Sequence, residues 1–392
     1  MYLANVRLPT EKAHGIQIAK MCEAFANAGA DVELIAPKRL NHLKADVFDY
    51  YGVQKNFTMK KLFCLDTISL FPVLKAAGYW IESLTFALAA AWYLRRDQPP
   101  LPPTAVGVAP PILGGGSVVY VRELPELFFL SRKKEIIYEA HHLPKRANWL
   151  FWQLLKKVKK FVVITTGLKD DLIKLGIRED MIMVAPDGVD IDQFDTNTSI
   201  IEARERLHLP LEKQIALYTG HLYPWKGSDT ILHAAALLPD VQFVTVGGTA
   251  DDHAEFVNMI EREQIHNILA LPHRPPRDIP LYLKAADVLL LPNSAKEKIS
   301  ARYTSPLKLF EYMAAGRPMV ASDLPSLREV LDDSMATFFT PDDPKSLVDG
   351  IQSALNNYEQ AEKRALAAYD RVRPYAWHNR ANRILAFVNH EL

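Results

Sequence analysis

Residues that could bind an anion stand near the start of the segment "YTSPLKLFEYMAAGRPMVAS", Tyr303 to Ser322. Thr304 and Ser305 are residue types that cap helices, so we predict that a short amphipathic helix begins directly after them. The exposed backbone amides of Leu307 and Lys308 would then face an anion, with the helix dipole behind them. The pattern therefore predicts a phosphate site at the beginning of this helix.

Glu311 is the one acid of the predicted helix, and its place one turn in allows two interpretations. The carboxylate could favour the helix dipole and do nothing more. It could instead accept hydrogen bonds from two vicinal hydroxyls of a ribose beside the phosphate site. The spacing alone leaves both interpretations open.

A second candidate anion site follows the segment "IALYTG", which reads as a strand and ends at Gly220. A short loop brings Lys226 in front of a helix that Ser228 or Asp229 could cap. A cation beside a helix start indicates an anion site. A loop lysine that is merely exposed to solvent has the same spacing, so this alternative stays open as well.

The common cofactor and metal patterns are missing from the sequence. No Gly-x-Gly-x-x-Gly follows a strand, and no Walker sequence is present. Asp190 and Asp192 form an Asp-x-Asp pair, but they lie in the predicted linker between domains, so we expect no metal there. Cys22 and Cys64 are too few for a disulfide framework and lack metal-ligand spacing. We therefore expect a protein without metal or cofactor.

The overall composition is that of a globular protein without net charge. Lys plus Arg and Asp plus Glu each number 46 among 392 residues, so no global field attracts nucleic acid. The first residues lack the long apolar core of an export signal, which predicts a cytoplasmic protein. The most apolar segment, 76–96, is shorter in its apolar run than the roughly 20 residues of a membrane span. We interpret it as a core helix.

The elements that must position these residues alternate between short β-branched runs and helical stretches. This alternation predicts parallel sheets with helices on both faces, arranged as two Rossmann-like doubly wound domains. We place the first domain at 1–194 and the second at 195–373, with a final helix, 374–392, packing back on the first domain. Ligands of such sheets bind at the carboxyl ends of the strands, so we expect the site between the two domains. The Pro-rich and Gly-rich segment 97–117 is predicted to be a loop.

The segment "PKRANWLFWQLLKKVKKF", 144–161, could form a helix that lies on a membrane. Trp149, Trp152 and Leu155 recur at helical spacing, and four lysines crowd the far end at positions 156, 157, 159 and 160. This combination is typical of helices on anionic lipid. A packed helix with a solvated basic end is the alternative.

Four segments together, in this order, resemble the retaining glycosyltransferases of the GT-B fold, specifically glycosyltransferase family four: "MVAPDGVDIDQF", "YTGHLYPWKG", "AADVLLLP" and "SPLKLFEYMAAGRPMVASDLPSLREV". The opening "RLPTEKAHGIQIAKMCEAFANAGADVELIAP" resembles the amino-terminal domain of that family. The resemblance implies a two-domain enzyme that transfers a hexose from a nucleoside-diphosphate sugar to an acceptor hydroxyl with retention of configuration. The acceptor would be a glycan or a lipid-linked saccharide, and the enzyme could sit at the inner face of the membrane.

The resemblance also implies roles for individual residues. Lys226 and the backbone around Leu307 and Lys308 would hold the diphosphate, Glu311 would hold the ribose, and the loop of Arg274 would border the base. His141 would lie near the donor sugar, so it and Lys226 are the expected catalytic residues. The complete set of expected donor-binding residues is Gly15, His221, Lys226, Arg274, Ser305, Leu307, Lys308 and Glu311.

Two departures from the family pattern keep other functions open. Tyr303 stands where the family often has Glu, and His221 stands where it often has Arg. The loss of a permanent cation at 221 would make binding of a diphosphate weaker or dependent on pH. A catalytically inactive nucleotide-sugar-binding subunit and a nucleotide-sugar epimerase are the alternatives.

Overall fold

The computed structural model describes residues 1–67, 75–95, 118–131, 135–144 and 149–389. The chain divides into two compact units, one formed by Met1–Ala185 with Trp377–Leu392 and the other by Pro186–Ala376. Residues 186–194, which we had assigned to the first domain, group with the second unit because Val189 pairs with Ala376 there. The predicted loop 97–117 lies outside the described residues.

The first unit contains a parallel sheet of seven strands with the order β3-β2-β1-β4-β5-β6-β7. Its strands are β1 Tyr2–Leu3, β2 Glu33–Lys38, β3 Thr58–Phe63, β4 Val118–Val121, β5 Glu135–Ala140, β6 Lys160–Val163 and β7 Ile182–Val184. The helices described in this unit are Ala13–Asn27, Val47–Tyr51, Lys75–Arg95, Trp149–Leu155, Thr166–Lys174 and Trp377–Asn389. The last of these packs against the first, as the sequence predicts.

The second unit contains a parallel sheet of six strands with the order β10-β9-β8-β11-β12-β13. Its strands are β8 Ile215–Thr219, β9 Gln242–Val246, β10 Ile268–Leu271, β11 Val288–Leu291, β12 Met319–Ser322 and β13 Thr337–Phe339. The described helices are Ile191–Phe194, Ile200–Leu207, Ser228–Leu237, Ala250–Arg262, Ile279–Ala285, Leu307–Ala315, Pro325–Arg328, Pro344–Asn356 and Tyr358–Val372.

Both faces of the second sheet are covered, and the β8 strand shows how. Ile215 and Leu217 pack into one hydrophobic cluster, whereas Ala216 and Tyr218 pack into another on the opposite face. Successive side chains of a strand point to opposite faces, so a strand buried on both faces is apolar throughout. This confirms the prediction of a parallel sheet between two layers of helices.

The stretch after β4 forms a short 3-10 helix, Leu124–Phe128, with Pro125 near its start. The predicted core helix differs in part from the structure. Helix Lys75–Arg95 is buried on one face only. Phe86 lies on the buried face, whereas Trp80, Leu88 and Trp92 are exposed. Among the described residues, no helix is both long and apolar enough to cross a membrane.

The strand orders place the candidate residues at the ligand-binding end of each sheet. The order reverses between β8 and β11 in the second unit and between β1 and β4 in the first. Ligands of open α/β sheets bind outside the carboxyl ends of the strands at such a point. Gly220 follows β8 there, and Arg122 follows β4.

Candidate functional site

The turn after β8 brings a glycine against a lysine from a distant helix. Gly220 has a φ of 127°, a backbone conformation that side chains other than glycine rarely adopt. A Cβ atom at this position would stand 2.9 Å from Nζ of Lys308. The backbone conformation therefore requires glycine here, and the cation approaches the turn closely.

Lys226 ends the short 3-10 helix Pro224–Lys226, directly before helix Ser228–Leu237. Gly227 has a φ of 87°, and a Cβ atom there would meet the Pro292 carbonyl at 1.8 Å, so only glycine fits between the two elements. Gly227 is also the residue before the helix, and no side chain caps it, which corrects the prediction that Ser228 or Asp229 does so. Burial lowers the pKa of Lys226 to about 8, and its Nζ lies 4.1 Å from the centre of the Trp225 ring.

The predicted phosphate helix spans Leu307–Ala315 and begins without a side-chain cap. Thr304 and Ser305 do not cap it, contrary to our prediction, because Pro306 separates them from the first helical residue. The Ser305 hydroxyl instead accepts a hydrogen bond from the backbone amide of Asp187 at 2.9 Å. In the part of the chain that the structure describes, no side-chain cap is therefore present at the start of this helix, and uncapped helix starts are suited to binding anions.

The side chain of Lys308 is the most unusual group in this region. Only 8% of the residue is exposed, and Nζ has no hydrogen-bond partner in the part of the chain that the structure describes. Its ammonium group lies 3.6 Å from the centre of the Tyr218 ring. Burial, and then the nearby charge of Lys226, hold the pKa of Lys308 well below its ordinary range. Two lysines that repel each other in a partly apolar site form a place suited to an anion.

Glu311 is the fifth residue of the helix and lies beyond its first turn. The helix dipole acts within the first turn, so the structure does not favour a pure dipole role for this carboxylate. Burial raises the pKa of Glu311 to about 7, while the charge of Lys308 opposes the shift. Within the described residues it has no hydrogen-bond partner, which leaves its oxygens available to a ligand.

His221 and the aromatic residues after it form a stack. The rings of His221 and Tyr223 are nearly parallel with their centres 5.0 Å apart, and the Trp225 ring lies 6.2 Å beyond Tyr223. Nδ1 of His221 is 3.3 Å from a carboxylate oxygen of Asp252. Burial lowers the pKa of His221 even though Asp252 opposes the shift, so the imidazole is neutral at pH 7 and does not replace the charge of an arginine.

Two other expected donor residues have different surroundings. Arg274 is exposed in the loop after β10, at the carboxyl end of that strand. Gly15 is buried in the first turn of helix Ala13–Asn27, where a Cβ atom would meet the Tyr51 hydroxyl at 2.1 Å. The close packing of Tyr51 is therefore enough to explain why position 15 is a glycine. The approach of Gly15 to a phosphate stays a prediction.

His141 follows β5, and both of its ring nitrogens have partners within the first unit. Nε2 lies 3.1 Å from an oxygen of Glu139, and Nδ1 lies 3.3 Å from the guanidinium group of Arg122. Burial and the charge of Arg122 lower the pKa of His141 to about 4. The ring is neutral at pH 7, so this geometry favours a polar contact over proton transfer.

Sequence reasoning missed the groups that surround His141. Glu139, Arg122 and Arg380 are buried charged residues that the structure brings together from β5, from the residue after β4 and from the last helix. A carboxylate within the apolar run "EIIYEA" was the available signal, since a buried acid requires partners. The distant arginine at 380 gave no signal of its own.

The membrane hypothesis for 144–161 needs correction. Residues 145–148 lie outside the described part, and the helix spans only Trp149–Leu155, with Leu155 buried. Lys157 donates hydrogen bonds to the carbonyls of residues 127, 128 and 130, and Lys160 is buried against Phe387. Of the four lysines, only Lys156 and Lys159 are exposed, and Trp149, seven positions before Lys156, is 73% exposed.

The expectation of a protein without metal stays a prediction. Asp190 and Asp192 belong to no group of converging ligand side chains among the described residues. Positive charge at the candidate diphosphate site comes from lysines and helix amides instead.

Two family descriptions match almost the whole chain between them. The one described as "Glycosyltransferase Family 4" matches residues 15–193, and the one described as "Glycosyl transferases group 1" matches residues 199–371. The first falls within the first predicted domain, 1–194, and the second within the second predicted domain, 195–373.

Curated relatives match only part of their length. A D-inositol 3-phosphate glycosyltransferase of Xylanimonas cellulosilytica is 28% identical over 246 residues, and the match covers 59% of this chain and 57% of that protein. A putative teichuronic acid biosynthesis glycosyltransferase, TuaH of Bacillus subtilis, is 26% identical over 187 residues, and the match covers 46% of this chain and 44% of that protein. The chain thus spans about half the length of these relatives.

Solved structures match over nearly the full chain. HepE of Anabaena in complex with UDP and glucose has a TM-score of 0.69 at 14% identity, covering 98% of this chain and 97% of that one. Sucrose-phosphate synthase of Thermosynechococcus elongatus has a TM-score of 0.71 at 17% identity, covering 95% and 92%. WaaG, a glycosyltransferase involved in lipopolysaccharide biosynthesis, has a TM-score of 0.70 at 12% identity, with 99% of each chain covered.

Proposed function

We propose that this protein transfers a hexose from a nucleoside-diphosphate sugar to an acceptor hydroxyl. The chain belongs to glycosyltransferase family 4 and has the GT-B fold, which supports this activity. The observation that carries the proposal is the buried ammonium group of Lys308, which has no hydrogen-bond partner in the described chain and lies beside an uncapped helix start. A nucleoside diphosphate would supply the anion that this group requires. The configuration at the transferred sugar carbon is expected to be retained.

In this proposal the second unit binds the donor. Lys226, Lys308 and the first helix amides hold the diphosphate, and they stabilise the charge that grows on it as the bond to the sugar breaks. Glu311 accepts hydrogen bonds from the ribose hydroxyls, and the loop of Arg274 borders the base. Since HepE was solved with UDP, we take UDP-sugars as the first donors to test.

The first unit supplies the acceptor side and His141. Because both of its ring nitrogens are engaged and its pKa is low, we assign His141 a contact with the donor sugar and no proton transfer. A glycan or a lipid-linked saccharide is the proposed acceptor. No metal is part of the proposal, because the two lysines and the helix amides provide positive charge where the leaving group forms.

Contact with an anionic membrane is a separate proposal. It rests on the exposed Trp149 with Lys156 and Lys159 close behind it in the chain. An exposed tryptophan beside lysines is suited to the headgroup region of a bilayer, where aromatic rings and cations both bind favourably. An enzyme that acts on lipid-linked saccharides would gain access to its acceptor in this way.

Incubation of the purified protein with a panel of sugar nucleotides, followed by analysis of nucleotide and sugar products, tests the enzymatic proposal. We expect release of nucleoside diphosphate from one donor, unchanged by EDTA, because no metal takes part. Binding without turnover would identify an inactive binding subunit, and an altered sugar still attached to its nucleotide would identify an epimerase. A loss of turnover in EDTA that Mg²⁺ or Mn²⁺ restores would contradict the metal-free mechanism.

A further inference from the structure

The carboxylate of Glu139 is the centre of a buried hydrogen-bond network in the first unit. Its Oε1 accepts hydrogen bonds from Arg380 at 2.6 Å, from Gln17 at 2.8 Å and from Nε2 of His141 at 3.1 Å, while Oε2 accepts one from the Tyr120 hydroxyl at 2.7 Å. Burial alone would raise the pKa of Glu139, but the charge of Arg380 and the bond from His141 more than offset it and hold the pKa well below its ordinary value. The carboxylate is therefore ionised and can only accept hydrogen bonds.

This network fixes the position of the proton on the His141 ring. An ionised Glu139 must receive a hydrogen from Nε2, whereas the guanidinium group of Arg122 can only donate to Nδ1. The two partners thus select the tautomer with the proton on Nε2. They also hold the plane of the ring, because it is bonded on opposite edges.

Arg380 links this arrangement to the last helix. It lies 241 positions after Glu139 in helix Trp377–Asn389, is fully buried, and also donates to the carbonyl of Ala185 at 3.0 Å. The other arginine beside His141, Arg122, is also bonded to Gln17, so it is shared between two partners. Arg380 is consequently the cation that pairs directly with Glu139.

We propose that Arg380 is a positioning residue, which holds the proton of His141 on Nε2 by keeping Glu139 ionised and in place. Its effect on turnover rests on the proposed function, but its effect on the histidine does not. The charged groups of the first unit that face His141 are Glu139 from β5, Arg122 after β4 and Arg380 from the last helix. Removal of Arg380 takes away a positive charge and leaves the charge of Glu139 less compensated, and both changes favour a protonated His141.

Nitrogen-15 NMR of the histidine rings tests this directly, with the His141 signals assigned by their loss in His141→Gln. In the wild-type protein we expect the Nε2-protonated neutral tautomer down to pH 5, with a pKa of about 4. In Arg380→Gln the pKa should rise from this value, although burial and Arg122 continue to hold it down, so that the imidazolium fraction at pH 5 is larger than in the wild type. Arg383→Gln, an exposed arginine on the same helix, is the control and should leave the signals unchanged.

Identical His141 signals in Arg380→Gln and the wild type would overturn the proposal. If Arg380→Gln does not fold, Arg380→Lys keeps the charge and is expected to fold with the wild-type tautomer, and a changed tautomer there would count against a role for charge. Because NMR needs no turnover, a failure of the proposed function would leave this test intact. In an active enzyme, Arg380→Gln should lower kcat at pH 6 with KM nearly unchanged, and Arg380→Lys should restore it in part.

Discussion

The ammonium group of Lys308 lies 3.6 Å from the centre of the Tyr218 ring, buried and without a hydrogen-bond acceptor among the described residues. A buried charge of this kind lowers stability unless a partner offsets its loss of water. Lys226 is near enough to lower the pKa of Lys308 further. The closeness of these two cations at the carboxyl end of β8 therefore lowers the stability of the folded protein, and binding of a diphosphate would offset this loss.

Substitution of Lys308 separates binding from stability. We predict that Lys308→Met leaves the thermal midpoint unchanged or higher, because it removes a desolvated charge, and that it weakens UDP binding tenfold or more. A hydrogen bond to a charged group contributes about 1.5 to 3 kcal/mol, which corresponds to such a factor. Calorimetry and thermal unfolding of the variant and of Lys298→Met, an exposed control, provide the measurements. A lower midpoint with unchanged UDP affinity would mean that Lys308 serves packing alone.

The pKa of Glu311 gives the ribose contact a defined pH dependence. Burial raises this pKa to about 7, so the carboxylate accepts two hydrogen bonds above pH 7 and loses this capacity as it is protonated below. We predict that the affinity advantage of the wild type over Glu311→Gln for UDP-glucose is largest near pH 8 and shrinks as the pH falls through 7. Titration calorimetry at several pH values measures it. If the affinity advantage of the wild type is the same at pH 5.5 and at pH 8, protonation of Glu311 does not control binding of the ribose.

Substitution of His141 should affect turnover and spare the nucleotide. His141 lies in the first unit, whereas the proposed diphosphate and ribose contacts lie in the second. We predict that His141→Ala binds UDP within a few-fold of the wild type and loses most of its donor turnover. His142→Ala, at the neighbouring position, is the control. A large loss of UDP affinity in His141→Ala would contradict the assignment of this residue to the sugar.

Membrane contact can be tested with exposed residues alone. We predict that the triple change Trp149→Ala, Lys156→Glu and Lys159→Glu abolishes sedimentation with vesicles of anionic lipid and leaves the thermal midpoint nearly unchanged. Lys296→Glu with Lys298→Glu, both exposed in the second unit, provides a charge-matched control. Lys157 and Lys160 are not suitable, because they bond or pack within the first unit. Equal sedimentation of the variant and the wild type would show that these three residues do not form a membrane-binding surface.

Much of the fold could be predicted because its signals are local. The apolar runs of the strands and the glycines at their ends follow from burial on both faces and from tight turns, as Gly220 and Gly227 illustrate. The predictions that Ser228 and Ser305 cap helices were wrong. Their hydroxyl groups are suited to capping, but the residues that directly precede the two helices are Gly227 and Pro306. The network of Arg380 and Glu139 could not be predicted, since no local pattern relates residues 241 positions apart.

The interpretation of Lys157 and Lys160 failed for a related reason. A run of lysines looks the same in the sequence whether its members face solvent or bond to carbonyl groups. Here Lys157 binds three carbonyls of a neighbouring turn, and the stem of Lys160 lies along an aromatic ring. Only the tertiary structure distinguishes exposed lysines from those that stabilise the unit.

Calorimetric titration of UDP into the wild type and Glu311→Gln at pH 8 tests the central claim most directly, that the second unit binds a nucleotide sugar through its ribose and diphosphate. Gln keeps the size and helix propensity of Glu but cannot accept two strong hydrogen bonds from vicinal hydroxyls. We predict that the wild type binds UDP and discriminates against 2′-deoxy-UDP, and that Glu311→Gln unfolds at the same temperature, binds UDP at least tenfold more weakly and no longer discriminates. Equal UDP affinity of the two proteins, or no binding by the wild type, would contradict the account.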